Sequence, residues 1–197
     1  MPIPKLVDQT AIYVAELYKK YQTPDLFYHN LEHTQNVVKR TKEIAANYSF
    51  DETELFILVA AAWFHDTGYL FGVAKQHEER SVSIMQKYLE AKCVEKKIID
   101  IIKGCILATK LSQNPTSLLE EIICDADTYN LGTEDFFKTD RLLKKEFELR
   151  NNASPDNWDK QTLELLEKHK YFTSCCRDKL EKGKQKNIEV MRTLLNK

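Results

Sequence analysis

The chain contains 197 residues, of which 43% are hydrophobic and 30% are charged, and its formal net charge is −1. This length provides one domain with a substantial core, whereas the balance of 29 basic and 30 acidic side chains excludes a generally basic nucleic-acid-binding surface. No run approaches the ~18 apolar residues that span a bilayer, so we expect no membrane partner and, given the charge balance, no nucleic-acid partner. The five cysteines include no CxxC pair, and we expect them to be free thiols in a cytoplasmic protein.

The predicted secondary structure is helical throughout. Only five glycines and five prolines interrupt the chain, and apolar residues recur every three to four positions, which is the period of an amphipathic helix. A first helix contains residues 6–18 and stops near Thr23. Further helices are predicted at about 31–45, 52–66, 75–92, 98–110, 117–131, 134–150, 157–170 and 174–196. We therefore predict an all-α fold, a single domain over residues 1–197 with about eight or nine helices.

Two helix starts carry specific signals. Asn30 is a typical N-cap residue directly before the second helix, and Asp51 with Glu54 three residues later has the pattern of a capping box. The first signal places His29 ahead of the second helix and His33 in its first turn.

Side chains that commonly bind metals are grouped at three places along the chain. The groups are His29 with His33, His65 with Asp66, and Asp125 with Asp127. Imidazole and carboxylate together suit a borderline divalent metal with positions left for water and substrate. An adjacent His-Asp pair in an apolar segment is costly to bury unless it binds something. The sequence therefore favours a metal site.

Helical phase separates the two aspartates of the sixth helix, which lie about 200° apart around its axis. Asp127 continues an apolar stripe formed by Leu119, Ile123 and Leu131, so we expect it on the buried face as a metal ligand or as a structural carboxylate paired with a Lys or Arg. Asp125 lies on a more polar face, and we expect it to support the ligands from outside or to face solvent.

The first group allows two interpretations. His29, Glu32 and His33 fit the H-x-x-E-H spacing of inverted zinc metalloproteases, in which both histidines would share one helical face and Glu32 would act as base. Asn30 as N-cap argues against this, because it places His29 before the helix. In the second interpretation His33 alone binds metal, and His29 orients the turn or contacts substrate.

Several motifs occur in a characteristic order. They are Tyr28 to His33, Ala62 to Asp66 with Tyr69, Glu78 to Ser81, Ile106 to Thr109, and Asp125 to Asp127 with Leu131 and Gly132. This set resembles the HD superfamily of metal-dependent phosphohydrolases, and in particular a bacterial family of predicted HD-type phosphohydrolases. The resemblance covers about residues 26–150. It implies an HD-type domain with a metal-site core at about 26–132, on which C-terminal helices of residues 133–197 pack. It also implies one divalent metal (Mn, Fe, Co, Ni, Zn or Mg) held by His33, His65, Asp66 and Asp127.

The chain departs from that family at three places. His77 stands where we expect asparagine before the Glu-Glu-Arg-Ser segment. Leu111 and Ser112 follow Lys110 where we expect a histidine, and the segment 144–147 replaces one that contains arginine and ends in Glu-Tyr. Since some HD enzymes bind a second metal through extra histidines, the missing histidine argues for one metal unless His77 replaces it.

The resemblance implies hydrolysis of a phosphate ester, in a nucleotide or another small phosphorylated molecule, by a water molecule that the metal activates. Asp66 would bind the metal and orient the water, and His77 or Glu78 would assist proton transfer. The remaining site predictions are His29, Arg80, Lys110 and Lys144 as substrate contacts, with Asp125 and Thr109 supporting the ligands.

The alternative from a different class is a non-catalytic helical module that binds a metal or nucleotide and regulates a partner. Retention of all four ligand types argues against complete loss of the site. Both interpretations are compatible with a homo-oligomer. We expect His169, which stands between Lys168 and Lys170, to lie at the surface.

Overall fold

The computed structural model describes residues 3–196, and all regular secondary structure in this range is helical. The helices are α1 (Ile3–Tyr21), α2 (Leu31–Ala45), α3 (Glu52–Phe64), α4 (His77–Ala91), α5 (Lys96–Ala108), α6 (Leu118–Asp127), α7 (Phe136–Asn151), α8 (Trp158–Lys168) and α9 (Ser174–Leu195), with short 3-10 segments at Thr67–Phe71 and Tyr129–Gly132. The predicted all-α fold class is confirmed.

Helix α3 is the centre of the main core. Every residue from Phe56 to Phe64 is buried, because the segment is apolar on all sides and other helices surround it. Helices α1, α2, α4, α5 and α6 all pack against α3. The C-terminal end of α3 consequently delivers His65 and Asp66 into the interior, where they are 0% and 4% exposed.

The predicted helix caps are confirmed. The side chain of Asn30 accepts a hydrogen bond from the backbone N–H of His33 at 3.0 Å. Asp51 and Glu54 form both bonds of the capping box, at 2.8 and 3.0 Å. These contacts are local in sequence, which explains why the pattern was sufficient to predict them.

The two helices that lead into the polar cluster, α3 and α6, end earlier than the apolar pattern predicts. Helix α3 stops at Phe64 rather than Asp66, and α6 stops at Asp127 rather than Leu131. In both places a threonine follows, and its hydroxyl donates to a backbone carbonyl near the helix end: Thr67 to Phe64 at 2.8 Å, and Thr128 to Cys124 at 2.8 Å. These bonds satisfy carbonyls that a terminating helix leaves without a partner.

A second, smaller apolar cluster joins the C-terminal helices. It contains Leu131, Phe136, Leu166, Ile188 and Met191. Helix α9 lies directly against the 3-10 segment Tyr129–Gly132, since a Cβ on Gly183 would lie 2.0 Å from the carbonyl oxygen of Gly132. Among the described residues, no helix is both long and apolar enough to cross a membrane.

Candidate metal centre

Four metal-binding side chains converge from the ends of three helices. His33 lies in the first turn of α2, His65 is the C-cap of α3, Asp66 follows it, and Asp127 is the last residue of α6. Each offers one ligand atom, and these atoms all lie within 4.8 Å of one another. The four residues that the sequence singled out are therefore brought together.

The distances describe a compact set of donors. The Nε2 atom of His33 lies 3.2 Å from Asp66 Oδ2 and 3.4 Å from Asp127 Oδ1, and His65 Nε2 lies 3.1 and 3.5 Å from the same two oxygens. The two Nε2 atoms are 3.4 Å apart. His65 Nδ1 lies 2.8 Å from the carbonyl oxygen of Ala62. Because a carbonyl only accepts, this contact places a proton on Nδ1 and turns Nε2 toward the centre.

The electrostatics of the group favour positive charge. Burial alone would lower the pKa of His65, but Asp66 and Asp127 outweigh it and raise this pKa well above its usual range. Burial would likewise raise the pKa of Asp66, yet the neighbouring imidazoles, His65 first, hold it well below its ordinary value. Two buried carboxylates that stay ionised beside two imidazoles form a set of donors suited to a divalent cation.

A buried glutamate orients His29. Glu146 is 2% exposed, and its Oε1 lies 2.5 Å from His29 Nδ1. Its Oε2 accepts the backbone N–H groups of Tyr28 and His29 at 2.8 and 3.0 Å. The His29 ring stacks on Tyr69, with centroids 3.8 Å apart. Sequence reasoning noted the segment around Glu146 only as a departure from the family, and missed this role.

The position of His29 argues against the metalloprotease interpretation. His29 precedes α2, and its ring centroid is 6.0 Å from that of His33, which instead groups with His65, Asp66 and Asp127.

His77 and Glu78 lie beside the cluster, as the sequence predicts. His77 Nε2 is 3.4 Å from Asp66 Oδ1, and its Nδ1 is 2.9 Å from the carbonyl oxygen of Ala74 and 3.4 Å from Glu78 Oε2. Gly68 permits this approach, because a Cβ there would lie 2.0 Å from the backbone oxygen of His77. The first residue of α4 can therefore approach Asp66 only if position 68 has no side chain.

Two predicted phosphate contacts lie elsewhere. The Arg80 guanidinium donates to the carbonyl oxygens of Gly68 at 3.0 Å and Lys75 at 2.8 Å, and also to that of Val73. It therefore stabilises the loop before α4, and the contact of Arg80 with substrate stays a prediction. Lys144 lies outside the lining of both cavities described below.

The prediction for Asp125 is also wrong. Its carboxylate is fully buried and accepts three hydrogen bonds, from the backbone N–H groups of Phe172 and Thr173, both at 2.8 Å, and from the Thr173 hydroxyl at 2.6 Å. Helical phase correctly separated it from Asp127, but the polar face of α6 is covered by the segment that leads into α9. Asp125 therefore stabilises the C-terminal region.

His169 is not at the surface. It is 9% exposed, and its Nε2 lies 2.9 Å from the hydroxyl of Thr128. The buried amino group of Lys184 donates to its carbonyl oxygen at 2.7 Å. Burial, reinforced by the charge of Lys184, lowers the pKa of His169 to about 4.

Two cavities adjoin the cluster. The larger, of about 800 Å³, reaches Asp66 and Asp127 and is also lined by His29, His77, Glu78, Thr109 and Lys110. The smaller, of about 270 Å³, reaches His33 and Asp127 from the other side. Lys110 is paired with Glu79 at 2.7 Å, and the Thr109 hydroxyl donates to the carbonyl oxygen of Ile106 at 2.8 Å. The larger cavity is wide enough for a small organic ligand.

Comparison with known proteins agrees with this geometry. The sequence matches the model of the HD domain family over residues 30–131, a range that contains all four converging ligands. The fold is similar to a predicted HD superfamily hydrolase from an uncultured Thermotogales bacterium (TM-score 0.62) and to the Lin1889 protein from Listeria innocua (TM-score 0.66). Each is 19% identical, and each alignment covers 100% of this chain and 98% of the other. No protein of curated function matches the sequence. Since the family match covers more than half of the chain, this protein belongs to the HD domain family.

Proposed function

We propose that this protein is a metal-dependent hydrolase that cleaves a phosphate ester of a nucleotide or another small phosphorylated molecule. Membership of the HD family supports the hydrolase class. The observation that carries the proposal is the convergence of His33, His65, Asp66 and Asp127 at the wall of a cavity of about 800 Å³.

The donor set fits one divalent metal. Two imidazole nitrogens and two carboxylate oxygens suit Mn, Fe, Co, Ni, Zn or Mg, and they leave positions for water and a phosphate oxygen. A bound metal would polarise the phosphate and lower the pKa of a water molecule. The contact between His65 Nδ1 and the Ala62 carbonyl fixes one ligand in the correct tautomer without requiring the metal.

The two carboxylate oxygens of Asp66 face different groups. Its Oδ2 faces His33 and His65, whereas its Oδ1 faces His77 Nε2 at 3.4 Å. Oδ2 would bind the metal, and Oδ1 would accept a hydrogen bond from the attacking water and orient it. His77, with Glu78 beside its Nδ1, would take up the proton from that side of the cavity.

His29 is the group placed to protonate the leaving oxygen. Its Nδ1 is engaged by Glu146, so Nε2 is its remaining polar atom in the larger cavity. The buried carboxylate holds the ring in one orientation, as in other pairs of histidine with a carboxylate. Lys110 lies at the cavity wall, and it would contact an anionic substrate on leaving its ion pair with Glu79.

The proposal is tested by elemental analysis of the purified protein together with hydrolysis assays. The substrates are p-nitrophenyl phosphate, bis-p-nitrophenyl phosphate, nucleoside mono- and triphosphates, and cyclic nucleotides. We expect Asp66→Ala and His65→Ala to lose both bound metal and activity. Glu32→Gln is the matched control, because Glu32 is an exposed acid one residue before His33. It should retain both, whereas the metalloprotease alternative predicts a peptide cleavage that is lost in Glu32→Gln.

Two results would contradict the proposal. Retention of metal and activity in Asp66→Ala would show that the site lies elsewhere. Stoichiometric metal binding without turnover of any substrate in the panel would instead favour the non-catalytic regulatory module.

A further inference from the structure

The larger cavity extends away from the metal centre into a space between α7 and α8. We call this space the α7–α8 chamber and define it by Phe136, Asp140, Leu143, Trp158, Thr162 and Leu165, which all line the cavity. Asp140 is the one charged residue that α7 and α8 contribute to this lining. The lysines of the cavity, Lys75 and Lys110, belong to the loop before α4 and the turn after α5.

The Asp140 carboxylate is fixed through one oxygen. Its Oδ1 accepts from the indole N–H of Trp158 at 3.0 Å and from the hydroxyl of Thr162 at 3.1 Å. Its Oδ2 has no hydrogen-bond or ion-pair partner among residues 3–196. Because an ionised carboxylate is only an acceptor, Asp140 offers the chamber an oriented acceptor with negative charge. Partial burial raises its pKa, because the ionised carboxylate loses hydration that a donor from a ligand would replace.

We propose that the α7–α8 chamber binds the leaving alcohol of the substrate, and that Oδ2 of Asp140 selects alcohols presenting an N–H or O–H donor. This inference rests on the proposed phosphate ester hydrolysis. The chamber disfavours a second phosphate, because the six residues that define it include no cation and Asp140 repels an anion. The preferred substrate is therefore an ester of an uncharged or cationic alcohol, with its phosphate at the metal centre and its body against the side chains of α7 and α8.

The chamber and the metal centre lie in one cavity, so one molecule can contact both. Leu143, Leu165 and Phe136 provide apolar contact for the body of the alcohol, and Asp140 provides the directional contact. Such a site discriminates against analogues without the donor, since the partly buried carboxylate then gains no partner from the ligand.

Asp140→Asn tests the inference with little change in shape. The Trp158 indole N–H can only donate, so it requires the amide oxygen of the new side chain. The amide nitrogen then occupies the position of Oδ2, and the free group changes from acceptor to donor. We expect kcat/KM for adenosine 5′-monophosphate to fall about 10- to 100-fold. Hydrolysis of p-nitrophenyl phosphate, whose leaving group presents no donor to the chamber, should change less than about twofold.

The matched control is Asp178→Asn, which removes the same charge from an exposed position of α9. It should leave both substrates unaffected. Ethanolamine phosphate is assayed beside adenosine 5′-monophosphate, to distinguish a small amino alcohol from a body of nucleoside size. A selective loss with either ester supports the chamber. Equal loss for the donor-bearing esters and p-nitrophenyl phosphate, or no loss for any of them, overturns it.

A binding measurement separates this inference from the proposed function. Adenosine without phosphate is titrated calorimetrically into wild type and Asp140→Asn. We expect binding that weakens about 10-fold or more in the variant. If wild type hydrolyses none of the phosphate esters, the proposed function fails, and the titration alone then tests the chamber. Adenosine binding that is tighter in wild type than in Asp140→Asn supports the chamber, and absence of binding to wild type overturns it.

Discussion

Asp125 and Asp127 are two residues apart on one helix, and the structure predicts opposite roles for them. Asp125 holds Phe172 and Thr173 through three hydrogen bonds, whereas Asp127 belongs to the four converging side chains that could hold a metal ion. Replacing either by asparagine keeps the side chain's size. The two variants should therefore separate a loss of folding stability from a loss of metal binding.

The cost of Asp125→Asn follows from its partners. Asparagine has one acceptor oxygen, so it leaves at least one of the buried donors of Phe172 and Thr173 without a partner. Each buried unsatisfied group costs about 1–3 kcal/mol, and we expect a loss of about 2–4 kcal/mol. At about 2 kcal/mol per molar urea, the middle of the usual range, the unfolding midpoint should fall by about 1–2 M.

The assay is urea unfolding with and without added metal. In EDTA, Asp125→Asn should unfold at lower urea than wild type, but it should gain the same increment from metal, about 2.7 kcal/mol at 100 times Kd. Asp127→Asn should lose most of that increment. Asp178→Asn, an exposed aspartate on α9, is the control for the change of charge and should match wild type. The reasoning is refuted if Asp125→Asn has the midpoint of wild type in EDTA, or if it loses the metal increment while Asp127→Asn keeps it.

Three further predictions concern residues around the centre. Burial and the charge of Lys184 lower the pKa of His169 to about 4, which is below its ordinary value in the unfolded chain. The folded state therefore binds fewer protons than the unfolded state, and it loses stability as the pH falls from about 6.5 to 4. The free energy of unfolding, measured in urea at each pH, should fall by about 3 kcal/mol over this range in wild type but not in His169→Gln. An equal dependence of this free energy on pH in the two proteins would contradict the prediction. Arg80→Ala should lower the thermal midpoint and speed proteolysis of the loop before α4 without changing KM, and a raised KM with an unchanged midpoint would support Arg80 as a substrate contact. Glu146→Gln should slow hydrolysis of nucleotides about 100-fold but that of p-nitrophenyl phosphate far less, because this leaving group needs little protonation; an equal loss would exclude a role of His29 as proton donor.

The helices and their starts could be predicted because the forces that specify them are local. Asn30 and the Asp51–Glu54 box cap the residues that follow them directly. The helix ends were less accurate, because the threonine hydroxyl that ends α6 competes with an apolar pattern that continues to Leu131. A periodicity of apolar residues does not report such a bond.

The contacts that orient the remaining residues connect distant parts of the chain. Glu146 lies 117 residues after His29 in sequence, and the partners of Asp125 lie 47 and 48 residues after it. In each case the sequence showed a polar residue on a helix without showing what would cover it. Arg80 is a further example. The sequence does not distinguish an arginine exposed at the surface from one that binds a loop, because both can occupy the same position on a helix.

By itself the sequence determined the all-α class and the four converging ligand types, because helical period and the phase of Asp127 against Asp125 are properties of the helix alone. Only the tertiary structure decided which other polar groups serve the centre. Glu146 lies against His29, and Arg80 and Asp125 bind backbone groups of other segments. Asp140 lines the α7–α8 chamber. The physical reason is that the burial and partners of a polar side chain depend on which distant segment packs over it.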